Sequence, residues 1–248
     1  MTLPPWRPIL GAAAILAALA NVVFGLRMRR DPWSAADFVQ VLAWSGEWLH
    51  GLNPYAPPHS LADYPPNALV AFAPLAALSV PVAITAWTVI HAGATVLTAL
   101  LASRLAPLGR HALLFAALVA ALPPFRIVLQ FSAVSFAAAL IGFLIADRRP
   151  VLAGVAIGLS LVKPHIGGPL LLWAAASRRW KTCAAAAAVP ASLFAVYLLR
   201  SPRAPQAVIG EWMQAVARTQ NRADLPSGET SLQPLVEALP ASPLAIQF

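Results

Sequence analysis

The sequence predicts an all-α, polytopic transmembrane helical bundle, and three observations carry that expectation. Apolar residues make up 59% of the chain and charged residues only 10%, against about half and about a quarter in soluble domains. Mean hydropathy is +0.71. The apolar residues fall into runs at 8–26, 65–78, 82–102, 111–122, 132–146, 151–162, 166–176 and 182–199, divided by short stretches bearing arginine or proline. The net charge of +8 would suggest nucleic acid in a soluble protein, but here the arginines sit between apolar runs. No basic-aromatic module for bases is present, so membrane lipids are the expected partner and nucleic acid is not. Cys183, in an alanine-rich run, is the single cysteine; it can form no intrachain disulfide and reads as an inert buried thiol.

The first run, 8–26, can span a membrane. Ala18-Leu19-Ala20 also fits a signal-peptide cleavage site, but only one Arg precedes the run, and a retained anchor is expected. Residues 27–64 follow as a long loop. Within it, 35–50 reads as an amphipathic helix lying in the membrane interface. Phe38, Val41, Leu42, Ser45, Trp48 and Leu49 fall on one stripe, and Gln40, Trp44 and Glu47 lie elsewhere. Ser34 is a natural N-cap and Gly51 a natural stop. The run 65–78 begins at Pro65-Pro66 and contains Pro74, so a short, tilted or re-entrant helix is expected.

The later runs are shorter than the roughly 20 residues that a straight crossing needs, so their helices must extend into the flanks. Arg104 with Arg110, Arg148 with Arg149, and "SRRWK" (177–181) mark three turns expected on the cytoplasmic side. Pro123-Pro124, Lys163-Pro164-His165 and the loop 27–64 then fall outside, although "RMRR" (27–30) runs against that placement. Residues 1–200 form the expected membrane core. Residues 201–248 are more polar and read as an outer tail, or as the start of a further half.

Ionisable groups at membrane depth are costly and are candidates for function. Asp37 either caps the helix, with Ser34, or acts as a base. Asp63, before Tyr64-Pro65-Pro66, is either a turn acid or part of a site. Asn53-Pro54-Tyr55 reads as a turn with Tyr55 as an interface anchor. His50 and His59 share the loop with these acids, but without metal-ligand spacing. Lys163 either snorkels or binds an anion, and the Pro and Gly that follow are expected to break the helix and free N–H groups beside its charge. Arg126 is a second phosphate candidate or an interface arginine. There is no Walker loop, no Rossmann glycine fingerprint, no HExxH and no GxSxG.

Taken in order, "ADF" (36–38), "GLNPY" (51–55), "DYPPNALVAFAPLAAL" (63–78), "AGVAIGLSLVKPHIGGPLLLW" (153–173) and "RRWK" (178–181) resemble glycosyltransferase family 87. The resemblance covers roughly residues 35–200 and implies a GT-C-like membrane transferase that uses a polyprenyl-phosphate-linked sugar, mannose or a related hexose. It implies that Asp37 is the catalytic base and that Lys163 lies near the lipid phosphate. Ser132-Ala133 stands where members usually carry Gly-Gln, and members are usually longer. The expected activity is hexosyl transfer to a lipid or glycan acceptor with inversion, on the extracytoplasmic side of the cell membrane. Asp37 is the expected catalytic residue; Lys163, Arg126, His165, Asp63, Tyr64, Asn53 and Tyr55 are expected to bind substrate. A monophosphate leaving group held by lysine calls for no metal, and no cofactor is expected. The alternative is a non-catalytic membrane protein, either a truncated or degenerate remnant or a partner subunit of such a transferase. A transporter would show broken helices repeated in two halves, and no such repeat is present.

Overall fold

The computed structural model describes residues 16, 36–56, 62–105 and 131–220. The expectations for the 8–26 anchor, "RMRR", His59, the 111–122 run, Pro123-Pro124 and Arg126 lie outside the described residues. Those residues contain eight helices: α1 (Ala36–Leu49), α2 (Pro66–Ala76), α3 (Val80–Leu105), α4 (Ser132–Ile145), α5 (Pro150–Ser160), α6 (Pro164–Ala176), α7 (Trp180–Arg200) and α8 (Pro205–Gln220). All regular structure among the described residues is helical. Val80–Leu101 and Trp180–Arg200 are long and apolar enough to cross a membrane.

Helix α1 buries the expected stripe: Phe38, Val41, Leu42, Ser45 and Trp48 are inside, while Gln40 is exposed. Its end is set by Gly51, at φ +76, where a side chain would be strained. The Leu52 N–H reaches back to the Glu47 carbonyl (2.8 Å) and the Gly51 N–H to the Trp48 carbonyl (3.0 Å), closing the last turn. Helix α2 starts with Pro66 in its first turn, where a missing N–H costs nothing. At 11 residues it is too short to cross a bilayer core of about 30 Å. It packs on α1 and α7 instead.

Helix α5 sits between α4 and α7. A Cβ placed on Gly142 of α4 would meet Ile157 Cγ1 at 2.6 Å and the Ala153 carbonyl at 2.9 Å. A Cβ on Gly154 would strike the Thr182 carbonyl and Ala185, and one on Gly158 would meet the Ala186 carbonyl at 2.7 Å. The contacts advance in the same direction along both chains, so α5 and α7 run parallel. Gly154-x-x-x-Gly158 is the small-residue spacing that lets two helix backbones approach closely.

Helix α3 carries a buried polar stripe of Thr88, His91, Thr95 and Thr98. Thr88 and Thr95 donate to the carbonyls one turn back, Ile84 at 2.7 Å and His91 at 2.9 Å, so their hydroxyls are satisfied within the helix. Thr98 reaches the Ala133 carbonyl of α4 at 3.4 Å. The Ser132-Ala133 pair is thereby buried in the α3–α4 contact.

Residues 205–220, expected in a tail, form α8, which folds back onto the loop before α2. Its buried side is Val208 and Ala215, with Trp212 packed beside the same core.

Gly158→Ala is expected to lower the melting midpoint of the purified chain in detergent, by the equivalent of about 1–3 kcal/mol. Gly168, in α6, has open space at its Cβ position, so Gly168→Ala is expected to hold or raise stability by about 0.5–1 kcal/mol. Equal effects would contradict the close α5–α7 approach.

Candidate active site

Tyr64 lies at the turn into α2, at the end of the bundle where α5 and α7 finish and α6 starts. Its aromatic ring has neighbours from three other segments. Trp44 of α1 lies 6.4 Å away between centroids, and Phe131, just before α4, lies at 5.1 Å. The Lys163 ammonium sits over the Tyr64 ring, 5.9 Å from its centroid. That is a cation–π approach, which favours the charge where water is partly excluded. Beneath this group, Phe38 stacks on Trp87 at 5.4 Å, and Phe72 stands edge-on to Trp87 at 5.0 Å.

Asp37 acts on Tyr64 through its charge. Burial pushes the Tyr64 phenol above its ordinary value of 10.0, and the carboxylates of Asp63 and then Asp37 push it the same way. The half-buried Tyr64 thus carries Lys163 over its ring and feels the charge of Asp37, from segments far apart in sequence. The phenol stays protonated and can donate a hydrogen bond. His165 is held below its usual range, mainly by burial and further by Lys163, which leaves it neutral beside the lysine.

The backbone at Lys163 differs from the expected break. Pro164 opens α6, but Gly167 and Gly168 lie inside that helix. A Cβ on Gly167 would meet Ser160 Oγ at 2.5 Å, so this glycine permits the sharp return of α6 against α5. The N–H groups of Ile166 (2.9 Å) and Gly167 (3.1 Å) close on the Lys163 carbonyl as first-turn bonds. These two N–H groups are not freed to cradle a phosphate.

Tyr64 is held through its main chain. The Tyr55 hydroxyl donates to the Tyr64 carbonyl (2.9 Å), and Trp212 Nε1–H of α8 donates to the neighbouring Asp63 carbonyl (2.9 Å). Arg218 of α8 donates to the Tyr55 carbonyl (3.0 Å). Asn53 accepts from the Tyr55 N–H (3.1 Å) and donates to Glu211 (3.0 Å), which also pairs with Arg203 at 3.5 Å. From α7, Tyr197 stacks on Trp48 at 5.6 Å while its carbonyl accepts from Trp48 Nε1–H (3.2 Å), and Arg200 donates to the Leu49 carbonyl (2.8 Å).

Tyr64 and Lys163 therefore meet at one end of the helices, with Asp63 and His165 exposed beside them and Asp37 acting on Tyr64 through its charge. Tyr55 is 1% exposed, and Asn53 is engaged on both sides of its amide, so these two shape the loop from within. Trp212 and Arg218 are contributors that the sequence reading missed. Val208, Trp212 and Ala215 at helical spacing, after Pro205, were the available signal. His91 was missed as well: it is 1% exposed inside α3, and its Nε2 has no partner among the described residues.

The described residues form a helical protein with two helices long and apolar enough to cross a membrane and a lysine set over a tyrosine at one end. The profile of glycosyltransferase family 87 matches residues 63–243, well over half of the chain. The chain belongs to glycosyltransferase family 87, and so is a glycosyltransferase that moves a sugar from a donor to an acceptor. The match includes Tyr64 and Lys163 and begins beyond Asp37. No curated protein and no solved structure matches the chain.

Tyr55→Phe removes the donor to a main-chain carbonyl and is expected to cost about 1–3 kcal/mol in thermal unfolding. A change within error would show that the loop is held elsewhere. Below pH 10.0 the Tyr55 and Tyr64 phenols are protonated in both the folded and unfolded chain. Above it the unfolded chain loses those protons first, so stability falls as pH rises. Tyr64→Phe is expected to flatten that alkaline loss, read from melts on either side of pH 10.0.

Proposed function

We propose that the chain transfers a hexose, mannose first among them, from a polyprenyl-phosphate donor to a lipid or glycan acceptor, with inversion at the anomeric carbon. The observation that carries this reading is the Lys163 ammonium over the Tyr64 ring, 5.9 Å from its centroid, in a chain of this family. The Asp37 carboxylate takes the proton of the acceptor hydroxyl, whose oxygen attacks the anomeric carbon. The bond from that carbon to the phosphate oxygen breaks, and the polyprenyl phosphate leaves with both electrons. Lys163 lies where the growing negative charge on the leaving phosphate is stabilised, an interaction stronger in the transition state than before it. Arg126 is proposed as a second cation on that phosphate. One base and one leaving group in a direct displacement give inversion.

The remaining assignments follow from the same geometry. Tyr64 and His165 flank the donor phosphate as neutral hydrogen-bonding groups, and Asp63 faces the acceptor at the exposed edge. Asn53 and Tyr55 act on substrate only through the loop that they shape. The polyprenyl tail lies among the apolar helices, α1 rests in the membrane interface, and this end of the bundle faces away from the cytoplasm. The reaction requires no metal or cofactor, because a monophosphate carries less charge than a diphosphate and a lysine can meet it.

Membranes bearing the chain are expected to transfer mannose from polyprenyl-phosphate mannose. Asp37→Asn keeps the size of the side chain but cannot accept the proton, and is expected to lower kcat by about 100- to 10,000-fold at equal protein level. Lys163→Gln is expected to lower it by about 100- to 1,000-fold. Transfer unchanged in Asp37→Asn would remove the base from this account.

A further inference from the structure

The end of the bundle remote from Tyr64 has a character of its own. There the α4–α5 turn and the α6–α7 turn are fastened together. Arg179 Nη1 meets Asp147 Oδ1 at 2.7 Å, and its guanidinium lies 4.8 Å from the centroid of the Trp173 ring. Around this clasp Arg148, Arg149, Arg178 and Lys181 are exposed. None of the four pairs with an acid among the described residues, and Asp147, the acid within these turns, is already held by Arg179. Trp180 stands among them, 65% exposed.

Two further features sharpen the patch. Helices α5 and α7 run parallel, so both begin here, at Pro150 and Trp180, and neither first turn is capped by a side chain. Their positive ends add to the charge of the cations. Arg178 has φ 57, the left-handed conformation that favours glycine. The turn around it is well formed: the Arg179 N–H bonds the Ala174 carbonyl (2.8 Å) and the Arg178 N–H the Ala175 carbonyl (2.9 Å). A glycine would make this turn with less strain. The chain keeps a cation there instead, pointing away from any partner among the described residues.

We propose that this rim docks on the anionic phospholipid headgroups of one membrane leaflet. Helix α7 is long and apolar enough to cross a membrane, and it enters at Trp180, so the rim lies at the level where lipid phosphates are found. Tryptophan settles at that depth, and exposed arginine and lysine are drawn to acidic headgroups. Guanidinium groups grip phosphate oxygens in pairs, and the open first turns of α5 and α7 supply N–H donors beside them. The charge is of one sign and the surface is amphipathic, which suits a lipid leaflet. The proposal stands apart from the sugar-transfer reading, because it uses none of the residues around Tyr64.

The test is lipid selectivity of the full chain. The chain is purified from vesicles of equal parts phosphatidylglycerol and phosphatidylcholine, and the lipids that stay bound are weighed by native mass spectrometry. The wild type is expected to retain phosphatidylglycerol over phosphatidylcholine. The quadruple variant Arg148→Gln, Arg149→Gln, Arg178→Gln, Lys181→Gln is expected to lose the preference. Arg178→Gly is expected to lower it, by about five-fold at most, while its melting midpoint holds or rises as the strain is relieved. Arg178→Lys, which keeps the charge, is expected to retain it. The proposal is overturned if the wild type shows no preference, or if Arg178→Gly keeps the full preference while remaining folded.

Discussion

The whole arrangement depends on how one tyrosine is held. The Lys163 ammonium lies over the Tyr64 ring, and the Tyr64 phenol feels the charges of Asp63 and Asp37. Its main chain is fixed by the Tyr55 hydroxyl on one carbonyl and by Trp212 on the carbonyl before it. A loop packed against apolar helices has to satisfy its backbone polar groups inside the protein. Here Tyr55 and two side chains of α8 supply donors to the described parts of the loop, 50–56 and 62–64.

Glycine packing at the centre of the bundle supports that end from below. Gly142, Gly154 and Gly158 let α5 lie against α4 and α7 at distances that any side chain would spoil. The ends of α5 and α7 are then set relative to each other, and with them Lys163 and Arg200. Arg200 in turn reaches the Leu49 carbonyl at the end of α1. The close parallel approach of α5 and α7 thus fixes Lys163, while Tyr64 is held from the loop and α8.

Much of this was legible in the sequence, for reasons that are local. The α1 stripe from Phe38 to Trp48 repeats at helical spacing, and Gly51 stops it because only glycine takes φ +76 without strain. Pro66, Pro150 and Pro164 open helices close to where the apolar runs begin. Other features were hidden because they depend on residues distant in the chain. Nothing near Tyr64 in sequence announces that its ring will meet Trp44, Phe131 and Lys163. Asn53 and Tyr55 read as a turn, but Glu211 and Arg218, their partners, lie in a stretch whose low hydropathy masked its helix. Gly167 looked like a helix breaker, and the reason for it is instead the approach of Ser160. Asp37 and Lys163 were singled out by ionisable character and by family resemblance, and it is the fold that sets Lys163 over Tyr64 and brings the charge of Asp37 to bear on it.

The central claim is that Tyr64 and Lys163 line the place where a polyprenyl phosphate binds, within reach of Asp37. The most direct measurement is photo-crosslinking of the full chain in membranes with a diazirine-bearing polyprenyl phosphate, followed by mapping of the labelled peptides. The account predicts label on the peptides that carry Asp63-Tyr64 and Lys163, reduced by an excess of unlabelled polyprenyl phosphate. Label that avoids both peptides, or that no competitor reduces, would contradict it.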